Sequence, residues 1–298
     1  MKASTHTEVY RRFEGELRTR PLRFLTIAWS GIRHGFRRKL PAALLYGPVF
    51  ISCIIACFRV HFGFSLKSGE LGGPADQFSS AMITSVLGDV VDNIFIYIQS
   101  TAFFALITVA WYGAGLIAED RRMGANLLYF SRPITRLDYL LGKFLSAFAF
   151  GALALVLPCM LVCSIASFSS PNWSFLTGEW DKILKILLFS GLWVATVTVV
   201  VLAVSSMVGR KTMALVGVVG FVVVSGGVSR AFAGLFDEQR FTLFSLFQNF
   251  ERLGEWILDR RDLSDPVTIE STLWALGALW AVCLVILTNR VRKMEVVA

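Results

Sequence analysis

Charged side chains are scarce in this sequence. Only 17% of its 298 residues are charged and the mean hydropathy is +0.63, whereas a soluble domain carries about 25% charged residues. This composition excludes a cytosolic enzyme, a disordered protein and a nucleic-acid-binding module. The net charge of +8 does not indicate a nucleic-acid partner, because seven of those eight charges come from residues 1–39, ahead of the first apolar run.

Long apolar runs take up most of the remaining chain. Because an α-helix rises 1.5 Å per residue, about 20 residues cross the hydrocarbon core of a bilayer. The sequence therefore predicts an all-α integral membrane protein, with a cytoplasmic N-terminus (1–39), a six-span domain (40–289) and a short tail (290–298). The six spans are the stretches that lack Asp, Glu, Lys, Arg and His: 40–58, 93–117, 144–170, 186–208, 212–229 and 271–289.

The distribution of basic residues predicts the topology. If both termini are cytoplasmic, the inside segments hold 20 Lys and Arg residues and the outside segments hold nine. Inside loops collect basic residues in multi-pass proteins. We therefore expect a multi-pass protein of the cytoplasmic (inner) membrane with both termini inside.

The predicted spans contain no acidic or basic side chain, that is, no Asp, Glu, Lys, Arg or His. Ion-coupled carriers and voltage sensors need such groups within the membrane, and the chain also lacks a Walker ATP-binding pattern and a nucleophile paired with a base. The chain is therefore predicted to have no catalytic activity of its own. One alternative is a lipid-modifying enzyme that uses the outside carboxylates Asp89 and Asp92.

All five cysteines lie within the apolar runs, so structural disulfides are not implied. Cys53 and Cys57, and likewise Cys159 and Cys163, are spaced at i, i+4 and lie in the outer halves of their spans. Four thiols at one depth would suit a soft metal such as Cu(I). The simpler interpretation is that these residues are small apolar fillers, and we assign no metal site.

The segment before the first span has the periodicity of an amphipathic helix. Its polar side carries Arg23, Thr26, Ser30 and Arg33. A basic amphipathic helix of this kind is also typical of a calmodulin target. Direct continuation into a span favours an elbow helix on the inner membrane surface. The predicted membrane-facing residues are Leu22, Leu25, Trp29, Ile32 and Phe36.

The last outside loop, residues 230–270, has an apolar pattern of its own. That pattern predicts one amphipathic helix, with Gln248, Asn249 and Glu251 on its polar side. Just before this loop, the Ser225-Gly226-Gly227 triplet predicts a break in the fifth span.

The second inside loop, residues 118–143, carries the most informative polar motif. It resembles the loop between the second and third spans in permease subunits of type-2 ABC exporters. The matching positions are Glu119, Gly124, Ser131, Arg132, Pro133, Ile134, Thr135, Arg136, Leu141, Gly142 and Lys143.

The resemblance implies a permease that contacts a separate ABC ATPase subunit through a coupling helix. It also implies a second permease copy or a sister permease. ATP and Mg²⁺ would bind to the ATPase, so the chain itself needs no cofactor. We expect the coupling helix to lie parallel to the membrane and to comprise Glu119, Asp120, Arg121, Arg122, Met123, Gly124, Asn126 and Leu127.

Two alternatives remain open at this point. The loop arginines, among them Arg132 and Arg136, also suit an ordinary loop that enforces topology and binds anionic lipid headgroups. The whole chain also suits a non-transporting membrane anchor or assembly scaffold that docks a partner through its outside loops. For a transporter, the uncharged, aromatic-rich interior favours an amphipathic or lipid-like cargo over a small ion.

Overall fold

The computed structural model describes residues 23–36, 39–67, 90–125, 134–170, 173–260 and 267–296. Within these ranges the chain is helical apart from short connections. A π-helical turn (Ala152–Val156) joins α4 to α5, and a 3₁₀-helix (Gln239–Phe244) precedes α9. The α-helices are α1 (Arg23–Gly35), α2 (Lys39–Lys67), α3 (Val90–Met123), α4 (Arg136–Gly151), α5 (Leu157–Ser169), α6 (Ser174–Gly178), α7 (Trp180–Met207), α8 (Lys211–Phe236), α9 (Leu246–Ile257) and α10 (Ile269–Val296).

Six helical stretches in the described ranges are long and apolar enough to cross a membrane. Each overlaps one of the uncharged runs in the sequence, so the predicted fold class is confirmed. The helices extend beyond those runs because the backbone stays helical where charged residues flank the apolar core. The six stretches are Tyr46–Ser65, Val90–Met123, Arg136–Ser169, Trp180–Met207, Lys211–Phe236 and Ile269–Arg292.

Helices α3 and α7 form the centre of the bundle and pack against each other along their lengths. Most of their apolar residues are buried, including Leu106 and Val109 on α3 and Trp193 and Val197 on α7. Helices α2, α8 and α10 are mostly exposed. Because their exposed side chains are apolar, these outer faces suit lipid rather than water.

The third span contains a local widening that the apolar run did not predict. The π-helical turn Ala152–Val156 lies directly before Pro158, which occupies the first turn of α5. Proline has no backbone N–H to donate and its ring clashes with the carbonyl four residues earlier. The wider π turn accommodates this proline, and the span continues to Ser169.

The predicted break in the fifth span is wrong. Helix α8 runs without interruption from Lys211 to Phe236, through Ser225, Gly226 and Gly227. The Ser225 hydroxyl donates to the carbonyl of Val222 at 3.0 Å, within the helix itself. Backbone groups in a lipid environment have no water to bind, so an apolar span remains helical across glycines that would end a helix in water.

The predicted amphipathic helix in the last loop is present as α9. Leu246, Phe250 and Leu253 are buried against the bundle, and the Phe250 ring meets the Trp193 ring edge-on with centroids 6.2 Å apart. Asn249 is not on the polar side as predicted. It is buried, and its Nδ2 donates to the carbonyl of Leu243 at 2.7 Å.

The two ends of the bundle differ in charge. We call one of them the basic end, which carries Arg121 and Arg122 at the end of α3, Arg210 and Lys211 at the start of α8, and Lys143 two turns into α4. The end that α9 covers is the opposite end. The described residues of the second-loop motif, among them Glu119, Gly124 and Thr135, lie at the basic end.

Candidate functional site

Helix α3 ends at the basic end and is longer than a bilayer core requires. Its 34 residues give a length of about 51 Å, which exceeds the hydrocarbon thickness by about 20 Å. Residues Glu119–Met123 form its last turns, and Gly124 follows with a φ of 66°, the left-handed conformation that commonly terminates a helix. The expected helix parallel to the membrane is therefore wrong for residues 119–123, which continue the span, while Asn126 and Leu127 lie outside the described residues.

Asp120 is held inside the protein by two groups from α4. The Lys143 ammonium lies 2.7 Å from Asp120 Oδ2, and the Tyr139 hydroxyl donates to the same oxygen at 2.9 Å. The Asp120 and Lys143 side chains are only 13% and 8% exposed. The second and third spans are therefore joined by a largely buried ion pair at the base of the predicted coupling segment.

Arg121 and Ser205 join α3 to α7. Arg121 Nη1 donates to the carbonyl of Ser206 at 2.6 Å, in the last turn of α7, where free carbonyls and the helix dipole favour a cation. The buried Ser205 hydroxyl donates to the Ala114 carbonyl at 2.7 Å and accepts from the amides of Ile117 and Ala118. Sequence reasoning missed Ser205, because a serine in an apolar run gives no sign of which helix its hydroxyl will contact.

The remaining residues of the predicted coupling segment are more accessible. Arg122 is exposed, and Met123 is 66% exposed although it is apolar. Glu119 is partly buried and lines a cleft of about 240 Å³ between α1, α3, α4 and the start of α8. Lys211, at the edge of this cleft, places its ammonium 4.7 Å from the centre of the Trp111 ring.

The start of the third span has a well-defined cap. The Thr135 hydroxyl accepts from the amide of Asp138 at 3.1 Å, and the Asp138 carboxylate accepts from the amide of Thr135 at 3.2 Å. This reciprocal capping box satisfies helix donors that would otherwise be unpaired and begins α4 at Arg136. Ser131, Arg132 and Pro133 lie outside the described residues.

Gly142 allows the elbow helix to cross the third span at close range. A Cβ at this position would lie 2.7 Å from Ile27 Cβ and 2.9 Å from the Phe24 carbonyl oxygen. Both distances are shorter than van der Waals contact, and one of them is to rigid backbone. The glycine of the motif therefore permits the packing of α1 on α4.

The elbow helix is present as α1, and two different faces of it are apolar. Ile27 and Ala28 are buried against the protein, whereas Trp29 is 69% exposed. Leu25 and Phe36 are also exposed, Ile32 is partly buried, and Leu22 lies outside the described residues. The exposed side chains are those predicted to face lipid; their contact with a membrane remains a prediction.

Of the two carboxylates of the alternative enzymatic site, the structure describes only Asp92. Asp92 Oδ1 lies 2.8 Å from Arg260 Nε, which joins the start of α3 to the chain after α9, and Asp89 lies outside the described residues. This ion pair gives Asp92 a structural role.

The cysteines of α2 and α5 also have packing roles. Cys53 Sγ lies 3.8 Å from the Pro158 carbonyl, and Cys159 and Cys163 are buried. Across the described ranges, no group of three or more His, Cys, Asp or Glu residues is arranged to hold a metal ion.

These features define a multi-pass helical membrane protein in which α3 has a charged C-terminal end beside an elbow helix. The family model described as ABC-2 family transporter protein matches residues 33–290, and no curated protein matches the chain. Because the match covers most of its length, the chain belongs to the ABC-2 transporter family, whose members are membrane components of transporters. The six apolar helices agree with a permease subunit.

Proposed function

We propose that this chain is the permease subunit of an exporter powered by a separate ABC ATPase, which binds at the basic end. The excess of Lys and Arg in the corresponding segments supports a cytoplasmic location for that end. ATP and Mg²⁺ would bind to the ATPase. A second permease, identical or related, would complete the transport path. Export as the direction of transport is proposed from the resemblance to exporters alone.

The contacts made by the C-terminal end of α3 are the observation that supports coupling most strongly. Asp120 joins this end to α4 through a largely buried ion pair, and Arg121 joins it to α7 through a partly buried hydrogen bond. By contrast, Arg122 and Met123 are exposed. A movement of an ATPase bound to these exposed residues would therefore be transmitted to α3, α4 and α7 together. The ATPase contact is accordingly assigned to Glu119, Arg122 and Met123, and Asp120 and Arg121 are assigned to transmission.

Reversal of the charge at Arg122 tests this assignment. Arg122 is exposed, so Arg122→Glu should leave membrane insertion and thermal stability unchanged. It should weaken ATPase co-purification and ATP-driven transport in proteoliposomes, because charge reversal in an electrostatic interface places like charges together. Arg240→Glu is the matched control, since Arg240 is equally exposed but lies at the opposite end.

Full ATPase binding and transport by Arg122→Glu would contradict the proposal. Equal losses in Arg122→Glu and Arg240→Glu would also contradict it, because the effect would not depend on the end of the bundle. In either case, the membrane scaffold described above becomes the better interpretation.

A further inference from the structure

A cavity of about 320 Å³ lies at the opposite end of the bundle, between α3, α7, α8 and α9. Its walls are largely aromatic, and they come from four different helices. Aromatic rings offer large apolar surfaces with few rotatable bonds, which suits the binding of a flat or flexible apolar group. The aromatic wall residues are Phe95, Phe103, Phe189, Trp193, Phe247 and Phe250.

Two charged side chains, Arg230 and Glu251, also line the cavity. Glu251 Oε1 already accepts a hydrogen bond from Gln99 Nε2 at 3.1 Å. Arg230 makes no hydrogen bond or ion pair to any residue that the structure describes. Within the described residues, all the N–H donors of this guanidinium are therefore unused, whereas Glu251 can only accept hydrogen bonds when it is ionised.

The position of Arg230 along α8 places it near a membrane surface. Helix α8 begins at Lys211, and Arg230 lies about 28 Å further along the axis, close to the thickness of the hydrocarbon core. Arg230 is thus expected at headgroup depth on the side away from the basic end. A guanidinium there presents a planar set of donors that matches a phosphate or carboxylate.

We propose that this cavity binds an anionic amphiphile, with the acidic group on Arg230 and the apolar part among the aromatic rings. The volume is at the lower limit of the usual range for ligand sites, about 300–1,000 Å³. It accommodates one short acyl chain or a compact ring system rather than a whole two-chain lipid. The idea that the bound amphiphile is transported rests on the exporter function proposed above. The idea that the cavity binds it can be tested without an ATPase.

Photolabelling of the full chain in phosphatidylcholine nanodiscs tests the proposal. The probe is dodecyl phosphate that carries a diazirine in its alkyl chain, and dodecyltrimethylammonium with the same diazirine is the cationic comparison. The anionic probe should label peptides from α3 and α9, and unlabelled dodecyl phosphate should compete. Arg230→Gln should weaken that competition about tenfold or more, the usual effect of losing hydrogen bonds to a charged group.

Two further variants serve as controls. Arg240→Gln removes an exposed arginine outside the cavity and should change the competition less than about twofold. Ala102→Leu adds volume to the wall of the cavity and should reduce labelling while Arg230 is retained. Equal labelling by the two probes, or unchanged competition in Arg230→Gln, would overturn the proposal.

Nanodiscs that contain phosphatidylglycerol identify the source of the ligand. If phosphatidylglycerol prevents labelling by the dodecyl phosphate probe in the wild-type chain, the natural ligand is an anionic membrane lipid. If labelling persists, the ligand is an anionic amphiphile other than this bulk lipid. No ATPase is present in this experiment, so a failure of the probe to bind would not contradict the proposed ATPase coupling. Likewise, a negative result in the Arg122 experiment would not contradict the proposed binding of an anionic amphiphile.

Discussion

The buried ion pair between Asp120 and Lys143 gives the sharpest prediction about stability. Asp120→Asn preserves the shape of the side chain and an acceptor for the Tyr139 hydroxyl, but it leaves the Lys143 ammonium, which is 8% exposed, without its carboxylate. Breaking one side of a buried pair costs about 3–5 kcal/mol. For a chain of this size, the midpoint of thermal unfolding should fall by about 6 °C or more.

A double variant separates the cost of removing one charge of the pair from the cost of losing the contact between the two helices. Asp120→Asn with Lys143→Gln places two neutral, hydrogen-bonding side chains together, and replacement of a whole buried pair is often nearly neutral. We expect most of the lost stability to return. Transport should remain impaired, because the strong contact between the second and third spans is still absent.

Thermal unfolding can be followed with a thiol-reactive dye, because the cysteines lie within the helices and four of them are buried. Lys182→Met is a suitable control: the Lys182–Glu179 pair is separated by 2.9 Å, but its side chains are 36% and 41% exposed. Its loss should cost no more than about 1 kcal/mol. The reasoning is refuted if Asp120→Asn is as mild as Lys182→Met, or if the double variant is less stable than Asp120→Asn alone.

Two predictions concern the membrane. In a cysteine-free variant, single cysteines at Ser4 and Asn126 should react with an impermeant thiol reagent only from the cytoplasmic side, and one at Ser264 only from outside, because inside loops are basic. Labelling of Asn126 from outside would contradict the six-span topology. Trp29→Glu inserts a charge into the exposed apolar stripe of α1 and should lower membrane assembly, measured by the amount of folded protein in isolated membranes, more than Ser30→Glu does. Equal yields of those two variants would show that the stripe does not contact lipid.

The architecture was predictable because the bilayer imposes strong constraints on the sequence. A run of about 20 uncharged residues has few alternatives to a spanning helix, and the apolar spacing of α9 shows directly which face is buried. The same constraint explains the mistaken break at Ser225-Gly226-Gly227, where rules that hold for helices in water were applied to a helix in lipid.

The internal arrangement of the candidate site was much less predictable. Asp120 and Arg122 are two residues apart in one charged segment, yet Asp120 is paired inside the protein and Arg122 is exposed. Only the packing of α3 against α4 and α7 distinguishes them. The role of Gly142 likewise depends on Phe24 and Ile27, which are more than 100 residues earlier in the chain.

Site-specific crosslinking tests the central claim most directly. In a cysteine-free background, Met123→Cys carrying a photoreactive benzophenone should capture an ABC ATPase subunit, identified by mass spectrometry, because this exposed apolar side chain lies at the tip of the proposed contact. Leu235→Cys, exposed near the other end of α8, should not capture it. Capture of the ATPase from Leu235 rather than from Met123, or from neither position in a chain that still transports, would contradict the account.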